Sequence, residues 1–270
     1  MKKFFLLLFC AASIITGCIA QDKNITAQKP VSRPANLSDT ALLDLVQKQT
    51  FRYFWDFAHP VSGLARERSN ASFGYGDETV TSGGTGFGVM AVIVATERNW
   101  IGRDTAAKFL LKMVNFLLKA DSYHGVFPHW LNGATGKTIP FSRKDDGADL
   151  VETSYLFQGL LCARQYFNGD NHIERELRNR ISWLWEGVEW NWFTKGGEEV
   201  LYWHWSPNNG WAMNFPIRGF NECLIVYILA ASGERYPVSK DVYHRGWAES
   251  NFFKNGKTFY NYTLPLGFDY

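Results

Sequence analysis

The sequence predicts an all-α fold of helical hairpins arranged as a toroid. Two observations carry this prediction: apolar residues recur at helical spacing in seven segments, and the connections between these segments alternate between long and short. If successive helices are antiparallel, the first, third and fifth connections emerge at the same end of the array. Those are the three long connections, so we expect functional residues to gather on that rim.

The predicted elements follow in chain order. The first helix runs from Ser38, a good N-cap, to Phe57. The second, about 84–99, is apolar on most sides and is predicted to be an inner helix. The third begins at an Asp104 cap. The remaining predicted helices cover about 149–167, 172–187, 220–231 and, with a weaker pattern, 239–249. The long connections are 59–83, 121–147 and an aromatic-rich stretch that ends at residue 222.

The first residues have the form of an export signal. Two lysines, an apolar run and small residues lead to ITGC, which matches a bacterial lipobox. We expect residues 1–17 to be a lipoprotein signal peptide and Cys18 to be the lipid anchor; the alternative is an ordinary signal with an incidental cysteine. Residues 18–37 are predicted to be a polar tether and 38–270 the folded domain. This predicts an exported protein, in the periplasm or outer membrane of a Gram-negative bacterium.

Charge and composition restrict the class of ligand. Without residues 1–17, Lys2 and Lys3 are lost, and 26 basic residues balance 26 acidic ones. A neutral chain gives no indication of nucleic acid binding. Aromatic residues make up 16%, including 11 Trp, which favours ligands with apolar faces and hydroxyl edges, such as sugars. We expect a monomer that contacts the membrane through its lipid anchor alone.

Carboxylates open two of the predicted helices. Asp145, Asp146, Asp149 and Glu152 surround the start of the fourth helix, and Glu222 lies at the start of the sixth. Carboxylates that face each other across a cleft are what glycoside hydrolysis requires, one as acid and one as base. The alternative is that these residues only cap the helices and offset their dipoles.

Other motifs give weaker indications of function. DDGAD matches the DDxxD pattern of isoprenoid enzymes, but a second metal motif is lacking. His124, His129 and His204 lie in the long loops without a recognised metal-ligand spacing, and GGTGFG lacks the lysine of a phosphate loop. The sequence therefore predicts neither a metal nor a cofactor.

Tryptophans in the loops are candidate sugar platforms. A ring face can stack on a pyranose while polar neighbours bind its hydroxyls; the alternative is that these rings form the core of a loop-rich cap. The predicted substrate-binding residues are Trp130, His129, Trp203, His204, Trp205, Trp211, Arg218 and Asn221.

Five long motifs resemble the bacterial glucoamylase-like family that includes the endo-β-1,2-glucanases of glycoside hydrolase family 144. They are FRYFWDFAHPVSGLARERSN, TSGGTGFGVMAVIVATERNWI, HGVFPHWLNGATGK, DGADLVETSYLFQGLL and LYWHWSPNNGWAMNFPIRGFNECLIVYILAAS. The resemblance implies an (α/α)6 toroid with long aromatic loops on one rim and inverting hydrolysis of β-1,2-glucan. It implies Glu222 as general acid and Asp149 as base or water-positioning residue, with Asp145 and Glu152 in support.

The resemblance also implies a longer domain. Family members continue well beyond the LPLGFDY-like stretch, so we expect this chain to hold an incomplete toroid, truncated at its C-terminus. The rival interpretation, from a different functional class, is a non-catalytic glycan-binding surface lipoprotein or an inactive fragment.

Overall fold

The computed structural model describes residues 36–68, 78–219, 221–249 and 254–265. The predicted signal peptide, Cys18 and most of the tether lie outside these described residues. Within them, no helix is both long enough and apolar enough to cross a membrane.

Helices dominate the described residues. They are α1 (Asp39–Asp56), α2 (Ser82–Glu97), α3 (Arg103–Leu117), α4 (Leu150–Tyr166), α5 (His172–Glu186), α6 (Leu224–Ser232) and α7 (Lys240–Tyr243), which continues as a π-helical turn, His244–Ala248. A 3-10 helix spans Trp190–Thr194. Ser38 caps α1 as predicted, with its hydroxyl accepting a hydrogen bond from the backbone N–H of Ala41.

Short strands join the long connections to one another. The strands are β1 (Thr79–Thr81), β2 (Trp130–Asn132), β3 (Thr138–Ile139), β4 (Ala148–Asp149), β5 (His204–Trp205), β6 (Lys254–Phe259) and β7 (Tyr262–Pro265). β1, β2 and β3 form one antiparallel sheet, β4 pairs with β5, and β6 pairs with β7. The first connection is thereby tied to the second, and the second to the third. The long connections therefore contact one another through these strands, whereas the toroid and its aromatic rim stay predictions.

Three sequence predictions differ from the structure. Asp104 lies inside the first turn of α3, and Gly102 is the N-cap. The sixth helix begins at Leu224, because the side chain of Asn221 accepts a hydrogen bond from the N–H of Cys223 and holds a turn there. The strands were missed because two- and three-residue strands show no period and depend on partners remote in sequence.

Alternate helices pack side by side. α2 packs most extensively against α4. In addition, α4 packs against α6 and α3 against α5, whereas α1 packs against its neighbour in the chain, α2. The core includes Leu110 of α3 and both Phe157 and Leu160 of α4. α2 was expected to be buried on most sides, but Phe87, Met90 and Val94 are exposed on one of its faces.

Two glycines allow the backbones of α2 and α4 to approach each other closely. A Cβ on Gly86 would overlap the backbone carbonyl of Tyr155, and a Cβ on Gly159 would overlap the carbonyl of Gly86. Neither position has room for a side chain. The close crossing fixes the depth of α4 relative to α2, and both helices begin among the long loops.

Gly86→Ala tests this crossing. Alanine favours a helix over glycine by about 1 kcal/mol, so propensity alone predicts stabilisation. Because the methyl group meets backbone atoms, we expect a loss of about 2–3 kcal/mol in the free energy of unfolding, measured by urea denaturation. The control is Gly187→Ala, where the backbone is right-handed helical and the added Cβ would lie 3.4 Å from the nearest atom, Leu184 O. Equal stability of the two variants would contradict the close crossing.

Candidate active site

Asp149 joins α4 to the aromatic loop. As the N-cap of α4, its Oδ1 accepts hydrogen bonds from the backbone N–H groups of Val151 (3.0 Å) and Glu152 (2.9 Å). The same oxygen accepts a third hydrogen bond from the indole N–H of Trp203, at 2.9 Å. β4 pairs with β5 so that Asp149 lies opposite His204. Both the backbone and the side chain of Asp149 are therefore fixed.

Two histidines face the second oxygen of Asp149. His129 Nδ1 lies 3.1 Å from Asp149 Oδ2. His204 Nε2 lies 3.9 Å from that oxygen and 3.4 Å from Asp145 Oδ2. Burial lowers the pKa of His129, but its hydrogen bond to Asp149 and the nearby carboxylates outweigh burial and raise the pKa. For His204, burial dominates and lowers the pKa. The two imidazoles thus differ in proton affinity although they share a partner.

Asp145 and Glu152 hold protons unusually tightly. Burial and the neighbouring charge of Asp149 raise the pKa of each carboxyl to about 7. Glu152 Oε2 accepts hydrogen bonds from the N–H of Gly83 (3.0 Å) and the hydroxyl of Thr81 (3.4 Å), at the start of α2. A Cβ at Gly83 would overlap that oxygen. The glycine-rich start of α2 therefore makes room for a carboxylate.

Glu222 lies in the turn that precedes α6. It is exposed, and its backbone carbonyl accepts a hydrogen bond from the Tyr155 hydroxyl at 3.0 Å. Burial and the charges of Glu222, Cys223 and Glu152 raise the pKa of Tyr155. The phenol thus joins α4 to the backbone of the turn that holds Glu222. Tyr155, three residues after Glu152 on α4, was missed by sequence reasoning, although that spacing places the two on one helix face.

The structure separates the predicted substrate-binding residues into groups. His129, Trp203 and His204 surround Asp149, and Trp130 lies beside them, with its indole N–H 3.0 Å from Glu67 Oε2. Phe141, whose ring lies 4.3 Å from that of His129 and 4.8 Å from that of Trp130, was not predicted. Trp205 and Trp211 belong to a different ring cluster, with His124 and Trp192.

Other predicted residues have local roles. Asn221 bonds within its own turn, to Cys223 N and Arg218 O. Arg218 lies near the phenols of Tyr202 and Tyr227, where its charge offsets the burial that raises their pKa values. Asp146 accepts hydrogen bonds from Ser206 and Asn208, so it anchors the loop after β5.

Asp145, Asp149 and His204 present atoms of the kind that bind cations in other proteins. One oxygen each from Asp145 and Asp149 and one nitrogen of His204 lie within 4.8 Å of one another. Carboxylate and imidazole donors suit a divalent metal ion. In this structure His129 faces Asp149, and His204 faces Asp145.

A pH titration of stability tests the raised pKa of Asp145. The folded chain binds this proton more tightly than the unfolded chain, whose pKa is near the ordinary 3.8. The stabilisation is complete below about pH 3.8 and is lost as the pH rises through about 7. We expect Asp145→Asn to flatten the fall in thermal midpoint between about pH 4 and pH 7. Asp104→Asn, at an exposed carboxylate, is the control; equal slopes for the two variants would contradict the assignment.

The chain is similar to known proteins in both sequence and backbone. The model of the family described as "Putative glucoamylase" matches residues 214–269. A solved structure from Bacteroides uniformis with the same description is 57% identical, with a TM-score of 0.80 over 87% of this chain and 57% of that one. An endo-β-1,2-glucanase from Chitinophaga pinensis, solved with sophorotriose and glucose, is 52% identical, with a TM-score of 0.81 over 86% and 56% of the two chains.

A curated relative extends the comparison. The exo β-1,2-glucooligosaccharide sophorohydrolase of Parabacteroides distasonis is 42% identical over 86% of this chain and 34% of its own. The chain thus spans about a third of that relative and somewhat more than half of the solved chains. In sequence and in backbone, the chain belongs to the glucoamylase-like family that these proteins represent.

Proposed function

We propose that the protein is a glycoside hydrolase that cleaves β-1,2-linked glucan with carboxylates as acid and base. The observation that carries this proposal is the convergence of Asp145, Asp149 and Glu152 at the start of α4, with the backbone of Glu222 joined to α4 through the Tyr155 hydroxyl. Relatives named as β-1,2-glucan hydrolases support the choice of linkage.

The contacts suggest which catalytic role each carboxylate has. Glu222 is exposed before α6, where it can reach a glycosidic oxygen, and we assign it as the general acid. Asp149 has one oxygen filled by three donors, so it serves to position water and the two histidines rather than to meet the sugar. Asp145 and Glu152, with pKa values of about 7, are suited to exchange a proton near neutral pH. We assign inversion, in which Glu222 protonates the leaving oxygen while a carboxylate at the start of α4 activates a water.

We also propose the fold and the mode of action of the whole domain. The row α2–α4–α6 and the pair α3–α5 fit parts of the inner and outer layers of an (α/α)6 toroid, for which we propose aromatic loops on one rim. Residues 38–270 would form the N-terminal part of that domain. We assign an endo mode, because the chain resembles an endo-acting relative at 52% identity.

Glu222→Gln tests the catalytic assignment. Loss of a general acid removes about 100-fold or more of the rate, whereas binding of the glucan should persist. Turnover is measured as new reducing ends released from linear β-1,2-glucan. A panel of glucans with other linkages tests the choice of substrate. The same assay with EDTA tests the expectation that no metal is required. The control is Glu234→Gln, the same change just beyond the other end of α6.

Each outcome of that assay has a distinct meaning. Unchanged turnover in Glu222→Gln would refute the role of this residue. Retarded migration of the wild-type chain in a glucan gel without any products would indicate the non-catalytic binder. A rapid fall in polymer length supports the endo mode, and release of disaccharide alone supports an exo mode.

Export is a separate part of the proposal. We expect the chain to be processed before Cys18 and to carry a lipid on that residue, on the basis of the lipobox. Cells fed labelled palmitate should yield a labelled protein, and Cys18→Ser should lose the label while residues 1–17 still direct export. Equal labelling of both forms would refute the anchor.

A further inference from the structure

An open groove lies beside the loop that ends in β5. We call it the indole groove: its rings are Trp192, Trp211 and Tyr236, and its polar groups include Glu189, Asn191 and Lys195. Its volume is about 710 Å³, within the roughly 300–1,000 Å³ of small-molecule sites. None of the four carboxylates assigned above lines it.

The β4–β5 ribbon separates this groove from the acidic residues. Successive side chains of a strand point to opposite faces. His204 lies against Asp145 and Asp149, whereas the neighbouring Trp205 lies among the rings of Tyr123, His124 and Trp192. Trp205 therefore lies on the face of the ribbon opposite to His204, beside the rings of His124 and Trp192.

Trp192 is a rigid platform. His124 stacks on one face of its indole, with ring centroids 3.8 Å apart and planes at 14°, and Glu189 Oε2 holds His124 Nδ1 at 2.9 Å. Trp192 nonetheless remains 39% exposed and lines the groove. An aromatic side chain held in place without being covered is a low-entropy surface for an apolar ligand face.

Polar groups around the rings complete a surface suited to hydroxyls. Lys195 Nζ donates to Asn214 Oδ1 at 2.6 Å and lies 4.7 Å from the centroid of the Tyr202 ring. Gly196 and Gly197 follow with φ of +90° and +100°, and no atom lies within 4 Å of the position of a Cβ, so their backbone is open to the groove. The charges of Glu189 and Lys195 balance, which favours a neutral ligand with polar edges.

We propose that the indole groove is a second glycan-binding site, which holds a neutral glucan chain apart from the acidic residues. The choice of β-1,2-glucan as its ligand rests on the proposed function. The two indoles, with centroids 6.5 Å apart and planes at 31°, would contact sugar faces while the polar groups bind hydroxyls. A polymer could then be held at the groove while another part of it is cleaved.

Affinity electrophoresis in gels that contain linear β-1,2-glucan tests this site, with Glu222→Gln as the parent so that the matrix is not consumed. We expect Trp192→Ala to raise the Kd for the glucan roughly tenfold, the loss of about 1.4 kcal/mol of ring contact. Trp183→Ala, at a tryptophan on α5 that is 75% exposed and outside the groove, is the matched control. Tyr236→Ala provides a second change on the groove in case Trp192→Ala does not fold.

The outcomes separate the groove from the catalytic proposal. Equal retardation of Trp192→Ala, Tyr236→Ala and Trp183→Ala would overturn the second site, as would an unretarded parent in every neutral glucan tried. If Trp192→Ala and Tyr236→Ala lose retardation only in gels of a different neutral glucan, the result would support the groove and contradict β-1,2-glucan as its ligand. Absence of hydrolysis by the wild-type chain would refute the proposed function alone, since retardation does not depend on turnover.

Discussion

The N-cap of α4 is the interaction on which the rest of the site depends. One oxygen of Asp149 satisfies two backbone donors of α4 and the indole of Trp203, while its backbone pairs with His204. A buried carboxylate with this many donors is costly to move, because each donor would lose its partner. The start of a helix, an aromatic loop and two histidines are thus fixed by a single residue, and the neighbouring carboxyls respond to its charge.

Much of the helical framework could be predicted from the sequence. Apolar spacing located α1 to α5 within a few residues, because amphipathic helices are specified locally. The alternation of loop lengths, an argument that needs only helix order, predicted that the long connections meet, and the pairs β1–β2 and β4–β5 join them. The acidic residues at the start of α4 were found for the same reason: a helix start is visible in the sequence.

The remaining contacts could not be predicted, because they are not local. β4 and β5 are two residues each, and their pairing joins positions separated by more than fifty residues. The link from Tyr155 to the backbone of Glu222 spans 67 residues. The sequence grouped Trp203, Trp205 and Trp211 as one set of platforms, since composition does not show which face of a loop a ring will occupy. The roles of these residues remain predictions.

The pairing of Asp149 with His204 has a further consequence for loop length. Because His204 and Trp205 face opposite sides of a two-residue strand, a one-residue deletion between the 3-10 helix and β5 that shifts the strand would place Trp205 in the position of His204 and Ser206 in the position of Trp205. An indole would then meet Asp145, and a serine would replace the indole beside His124 and Trp192. The composition of this loop is free to vary more than its length, and insertions that survive should come in pairs of residues.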